Sequence, residues 1–130
     1  MNTQINQLTE QVIGAAIEVH RELGPGLLES AYEACLAHEL RRNGFTVETQ
    51  VELPIKFEGA VLDVGYRIDM MVEDLVLVEL KAAAEIHPVV KAQIISYLKL
   101  SNKTLGLLIN FHVTHLREGF KRFVRGSEWK

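Results

Sequence analysis

Apolar and polar positions along the chain fall into two periods. Ile5, Leu8, Val12, Ala15, Ala16, Val19 and Leu23 recur at helical spacing, which predicts a helix from about Asn6 to Glu22. Gly24-Pro25-Gly26 ends it, because Gly and Pro both oppose continuation. Leu28, Tyr32, Cys35, Leu36 and Leu40 form the apolar stripe of a second helix, from about Leu28 to Asn43, with Gly44 suited to a left-handed residue past its end. From Phe45 the period shortens to two. Phe45, Val47 and Thr49 alternate with polar residues. Val51–Phe57 and Val61–Gly65 flank a Glu58-Gly59 turn, and Tyr66–Val72 and Val76–Lys81 flank a second turn around Glu73-Asp74. Pro88 suits the first turn of a helix running to about Leu100. Leu105–Phe111 is an apolar strand, and Phe120–Val124 is a strand or a short helix. Helices packed on a mixed sheet are the natural assembly of this order.

Composition narrows the class. The chain has 130 residues, 48% of them hydrophobic and 24% charged, so we expect one soluble globular domain over residues 1–130. No apolar run approaches the ~20 residues of a membrane span. The polar start, Met1-Asn2-Thr3-Gln4, lacks a secretory signal pattern, and a cytoplasmic protein is expected. Cys35 is the only cysteine, which excludes an internal disulfide, and it reads as core filler. His112 and His115 form H-x-x-H and His87 precedes Pro88, but zinc needs three or four convergent ligands and the spacing supplies no third. No glycine-rich phosphate loop is present.

Net charge is −3, which argues against broad nonspecific nucleic-acid binding. The halves differ, however. Residues 1–65 carry four Lys/Arg and ten Asp/Glu, whereas residues 66–130 carry ten and seven. The late basic residues Lys99, Lys103, Lys121, Arg122 and Arg125 permit a local phosphate-binding face and equally suit a solvated surface.

The chemistry concentrates in Arg67-Ile68-Asp69 and Val78-Glu79-Leu80-Lys81. Residues two apart on a strand share a face, so Leu77, Glu79 and Lys81 point the same way. An odd-length loop such as Glu73-Asp74-Leu75 sets Asp69 opposite Glu79. A two-residue loop sets Asp69 opposite Val78 and separates the carboxylates. In the first case like charges face each other, which is unfavourable unless a divalent cation or Lys81 compensates. On the following helix Val90, Gln93, Ile94, Tyr97 and Leu98 make one stripe, with Gln93 a polar residue on the inward face. Gln93 then either bonds backbone or reaches a site carboxylate or phosphate. Glu29 and Tyr32 are neighbours near the start of the second helix, where an acid is favoured by the helix dipole and the tyrosine suits a core position.

Gly26, Glu29 and Tyr32, with Gly24-Pro25-Gly26-Leu27-Leu28-Glu29 around them, Ile109-Asn110-Phe111 later, and the ordered set Asp69, Glu79-x-Lys81 and Gln93-x-x-x-Tyr97, resemble the GxxExxY family of the PD-(D/E)XK nuclease superfamily. The resemblance runs over nearly the whole chain. It implies a restriction-endonuclease-like core, a mixed β-sheet flanked by helices in the order α-α-β-β-β-β-α-β. It implies an enzyme, a Mg²⁺- or Mn²⁺-dependent nuclease acting on phosphodiester bonds, in DNA more than RNA. Asp69, Glu79 and the carbonyl of Leu80 would be metal ligands, with Glu29 as the extra acid. Lys81 would position or activate the attacking water and offset developing phosphate charge, and Gln93 and Tyr97 would match the helix motif of the exonuclease-like and resolvase-like branches. Ile68 stands where the family pattern often has proline. The expected partner is nucleic acid, with a homodimer as a second possibility. The alternative is a non-catalytic nucleic-acid-binding or protein-interaction module on the same fold.

Overall fold

A computed structural model describes residues 3–125. Helix α1 runs Thr3–Leu23 and α2 runs Glu29–Arg42. The strands are β1 (Val47–Glu52), β2 (Ile55–Phe57), β3 (Ala60–Leu62), β4 (Arg67–Val72) and β5 (Val76–Lys81). Helix α3 (Val89–Ser101), strand β6 (Leu105–Asn110), a 3-10 turn (Leu116–Gly119) and strand β7 (Phe120–Val124) follow. No helix among the described residues is long and apolar enough to cross a membrane.

Five strands form one sheet in the order β1-β4-β5-β6-β7. Only β5 and β6 run parallel, and α3 makes the crossover that a parallel pair requires. The sheet is therefore covered on both faces, and its two central strands are buried almost throughout. On one face Leu8, Val12, Ala16 and Val19 of α1 and Leu36 and Leu40 of α2 pack on Val76, Val78, Leu80, Leu107 and Ile109. On the other, Val90, Ile94 and Leu98 of α3 pack on Leu77, Leu108 and Phe123. Gly106 lets α3 sit close to β6, since a Cβ there would lie 3.0 Å from Ile94 Cγ2.

The structure agrees with the mixed, helix-flanked sheet expected from the sequence and departs from it in strand count. Five strands precede α3 rather than four. The alternation that begins near Phe45 continues through β1 to Glu52, and Pro54 then separates it from β2, since Pro cannot extend a ladder. The turn at Glu58-Gly59 is where the sequence placed it, but β2 and β3 form a separate two-stranded sheet. The tail segment is strand β7, paired antiparallel with β6.

Candidate active site at the β4–β5 opening

The β4–β5 turn decides the register. Glu73 and Asp74 both adopt left-handed backbone (φ 54° and 53°), and Val72 pairs with Val76 across the three residues between them. Lys103 braces this turn, donating to the Asp74 carbonyl at 2.9 Å while pairing with its carboxylate. Met71↔Leu77 and Met70↔Val78 follow, and the same register sets Asp69 opposite Glu79. The odd loop is thus the one the chain uses.

At that point side chains replace the ladder. The Asp69 N–H donates to Glu79 Oε1 at 3.1 Å, and the Leu80 N–H donates to Asp69 Oδ2 at 2.9 Å. Each carboxylate accepts from the opposing backbone through one oxygen, and Asp69 Oδ1 also lies 3.5 Å from Gln50 Nε2. Pairing of β1 with β4 also lapses here. Thr49↔Met70 and Val51↔Ile68 pair on either side, while Gln50, at φ 52°, stands across from Asp69 in left-handed backbone. The two strands change facing at this point. Met70 belongs to the core under α1 and α2, whereas Ile68 belongs to the core under α3. Such an irregularity beside a functional group re-aims side chains.

A cavity of ≈ 210 Å³ opens there, lined by Glu29, Ser30, Glu33, Gln50, Asp69 and Leu80. Its helical wall is set by the Gly26–Tyr32 segment. Gly26 has φ 105°, a conformation an L side chain rarely adopts. The buried Tyr32 hydroxyl donates to the Gly24 carbonyl at 2.6 Å and accepts from the Leu27 N–H at 3.1 Å. Its ring stacks on Phe111, with centroids 4.3 Å apart. Tyr32 therefore clamps the loop that starts α2, and the first residue of α2 is Glu29.

Glu79 is 8% exposed, and its carboxyl is pushed up to about 8. Burial is the main cause, the Asp69 charge adds to it, and the nearby Lys81 ammonium opposes it. Lys81 lies two residues on, half-buried, on the same strand face. Tyr97 approaches from α3. Its phenol is shifted upward by burial first, then by Glu79, Tyr66 and Asp69, so it stays a hydroxyl donor beside the carboxylates. Its ring lies 5.9 Å from that of Tyr66.

Asp69, Glu79, Leu80 and Lys81 are thus brought together, Glu29 shares the cavity with Asp69 and Leu80, and Tyr97 lies within electrostatic reach of Glu79 and Asp69. Gln93 corrects the expectation that it faces inward. It is exposed, because the buried stripe of α3 is Val90, Ile94 and Leu98, and Gln93 falls at its solvent edge one turn before Tyr97. Cys35 is half-buried against the core.

Two residues, Glu33 and Gln50, escaped the sequence reading, and a third, Asn110, entered it only within Ile109-Asn110-Phe111 and with no role. Glu33 lies one turn after Glu29, and that spacing was the available signal. Burial raises its carboxyl, the Gln50 hydrogen bond opposes this, and Asp69 and Glu29 add to it. Gln50 Nε2 donates to Glu33 Oε1 at 2.6 Å and lies 3.5 Å from Asp69 Oδ1, a bridge that no sequence period could show. Asn110 holds the chain leaving β5. Its Oδ1 accepts from the N–H groups of Ala83 and His112, and its Nδ2 donates to the Ala83 carbonyl.

The donor set suits a hard divalent cation. Glu29 and Glu33 line one cavity with Asp69, Asp69 in turn faces Glu79, and none of the four has an ion-pair partner among the described residues. Oxygen ligands of this kind match Mg²⁺ or Mn²⁺. No three His, Cys, Asp or Glu side chains among the described residues converge as a ready-made metal cluster, so a cation here would draw on backbone oxygen and water as well.

A family model of the PD-(D/E)XK nuclease superfamily matches residues 6–123. No curated protein and no solved structure matches the chain.

Proposed function

The chain belongs to the PD-(D/E)XK nuclease superfamily, and on that premise we propose that it acts, as one domain, as a metal-dependent nuclease hydrolysing phosphodiester bonds, in DNA rather than RNA. Within the superfamily we assign it to the GxxExxY family, on Gly26, Glu29 and Tyr32. The observation that carries the reading is the carboxylate pair at the β4–β5 opening, held through backbone N–H groups and lacking a counter-ion at ion-pair distance among the described residues.

Asp69, Glu79 and the Leu80 carbonyl, with Glu29 from α2, are the residues that would hold Mg²⁺ or Mn²⁺. Such an ion, when bound, polarises the phosphoryl oxygen and lowers the pKa of water. The chain's own groups do the rest. The backbone bonds at Asp69 and Leu80 fix the orientation of both carboxyl groups before substrate arrives, which avoids reorganisation during reaction. Burial and the Asp69 charge make Glu79 hold its proton more readily than an ordinary carboxyl, and it must release that proton to act as an anionic ligand. Lys81, on the face of Glu79, offers charge to the phosphate and a donor to orient water. Tyr97 supplies a hydroxyl donor at the edge of the same group, and Gln93, exposed one turn earlier, is placed to meet a bound strand rather than the carboxylates.

A second copy of the chain is the proposed protein partner. The β2–β3 hairpin leaves Phe57, Val61, Leu62 and Val64 exposed, and an isolated two-stranded sheet is marginal without cover. Sedimentation of the wild type and of Phe57→Ser should show a dimer that the substitution weakens; a monomer at every concentration removes this partner.

The nuclease reading is tested by incubating the protein with a panel of labelled DNA and RNA, with Mg²⁺, with Mn²⁺ and with chelator. Metal-dependent cutting, faster on DNA, is expected. No cutting of any substrate, together with no heat of Mn²⁺ binding, would leave the binding-module account standing instead.

A further inference from the structure

A second cleft adjoins the carboxylate–lysine face. It measures ≈ 310 Å³ and lies between the first turn of α3 and the ends of β6 and β7. Its floor and walls are apolar, with Leu108 and Phe123 buried and Ile86 and Phe120 half-buried. Lys91 and Lys121 stand on its rim, both exposed. Among the described residues neither joins an ion pair, and Lys121 Nζ lies 6.0 Å from the Phe123 ring centroid. Glu118 is the one acid in the lining.

Sheet register ties this cleft to the site. Glu79 pairs with Leu108, and Leu108 pairs with Lys121, so the three stand in one row across β5, β6 and β7. Lys81 pairs with Asn110, which also lines the cleft. Leu108 and Phe123 pack under α3, on the face that Glu79 and Lys81 share with Leu77. At the usual strand spacing Lys121 lies roughly 10 Å from Glu79, two strands away. That is within two steps along an extended nucleic-acid backbone, not a separate region of the molecule.

We propose that this cleft takes an unpaired nucleotide of the strand whose phosphodiester lies at Asp69, Glu79 and Lys81, with Lys91 and Lys121 on the flanking phosphates. The assignment rests on the nuclease reading and adds a substrate class to it, a strand with unpaired bases beside the cut. Its charge and shape both point that way. Two lysines without carboxylate partners match phosphate oxygens. The volume is at the small end of ligand pockets, ~300 Å³ or more, and admits one base against an apolar wall but not a stacked pair. Unpaired bases give up little on entering such a wall, whereas a base in a duplex must first be unstacked. The basic second half of the chain finds a use here in two residues, while Arg122 is paired with Glu10 and Lys103 with Asp74.

Fluorescence anisotropy with chelator present tests the assignment, using a dye-labelled oligothymidylate and a blunt duplex as probes. The wild type should bind the single strand more tightly. Lys91→Ala with Lys121→Ala should weaken that binding roughly tenfold or more and lower the salt slope by about 0.7 for each lysine removed. Lys56→Ala with Lys99→Ala, two exposed lysines outside the cleft, is the charge-matched control and should change binding by less than about twofold. The proposal is overturned if the double variant loses no more than the control, or if the wild type prefers the blunt duplex. Cleavage is scored separately with Mg²⁺. Lysine-dependent single-strand binding without any cleavage upholds the cleft and counts against the nuclease. Cleavage with binding indifferent to both lysines upholds the nuclease and removes the cleft.

Discussion

Glu79→Gln should stabilise the metal-free protein, by an amount that depends on pH. In the folded chain the Glu79 carboxyl is raised from 4.5 to about 8, chiefly by burial and then by Asp69. The native state therefore keeps a proton that the unfolded chain has already released. Stability contributed by this group is full below the unfolded value, falls as pH rises, and is lost once pH passes the folded value. Each unit of that interval is worth about 1.4 kcal/mol, so at neutral pH the loss is on the order of 3 kcal/mol. Set against a total of roughly 5–15 kcal/mol for a domain, this is large. A glutamine does not titrate. Its carbonyl still accepts the Asp69 N–H, and its amide becomes a donor toward the neighbouring carboxylate. Urea unfolding with chelator, from about pH 5 to about pH 9, reads the effect as a shift in midpoint at constant slope. The variant should match the wild type at the acid end, pull ahead through neutrality and hold a constant lead above about pH 8. Parallel curves across the range would refute the account of Glu79 as a buried, charge-penalised carboxyl, and with it the idea that the site sacrifices stability for function.

Mn²⁺ binding should release a proton near neutrality and tighten by up to about tenfold per pH unit as pH rises toward about 8, then level off, with the dependence absent in Glu79→Gln; calorimetry in buffers of different ionisation enthalpy measures it. Tyr32→Phe should cost about 1–2 kcal/mol, because the Gly24 carbonyl and Leu27 N–H both lose their partner, and proteolysis should then increase within residues 24–28. Gln50→Asn keeps a side chain that tolerates left-handed backbone but shortens the amide, so Mn²⁺ affinity should change with little change in melting temperature; if Gln50→Asn and the wild type bind Mn²⁺ alike, the bridge to Glu33 and Asp69 has no part in the site.

What the sequence disclosed and what it hid divide along physical lines. Helix α1 was legible because its stripe of Leu8, Val12, Ala16 and Val19 is long and periodic, and a long amphipathic pattern has few rival readings. The face shared by Leu77, Glu79 and Lys81 followed from strand geometry alone. The partner of Asp69 did not, because the register turns on whether the loop holds two or three residues, and left-handed backbone at Glu73 and Asp74 is a conformational choice neither residue demands. Gln93 was misplaced by a fraction of a helical turn, since a residue at the edge of a stripe is assigned by the packing of the whole helix. Gln50 could not be anticipated. Its bridge depends on a break in two strands at once, and nothing in its neighbours announces one. Tyr32 was seen as a core residue, and the structure adds the reason it stands three residues after Glu29: the hydroxyl that pins the loop also sets where the acid begins its helix.

The most direct measurement is single-turnover cleavage of a labelled DNA strand with Mg²⁺ by the wild type, Asp69→Ala and Lys81→Ala, each first shown to be folded by circular dichroism. The account predicts cutting by the wild type that chelator abolishes and that each substitution lowers by at least about a hundredfold. Cutting that survives both substitutions would contradict it, placing the chemistry somewhere other than the β4–β5 opening.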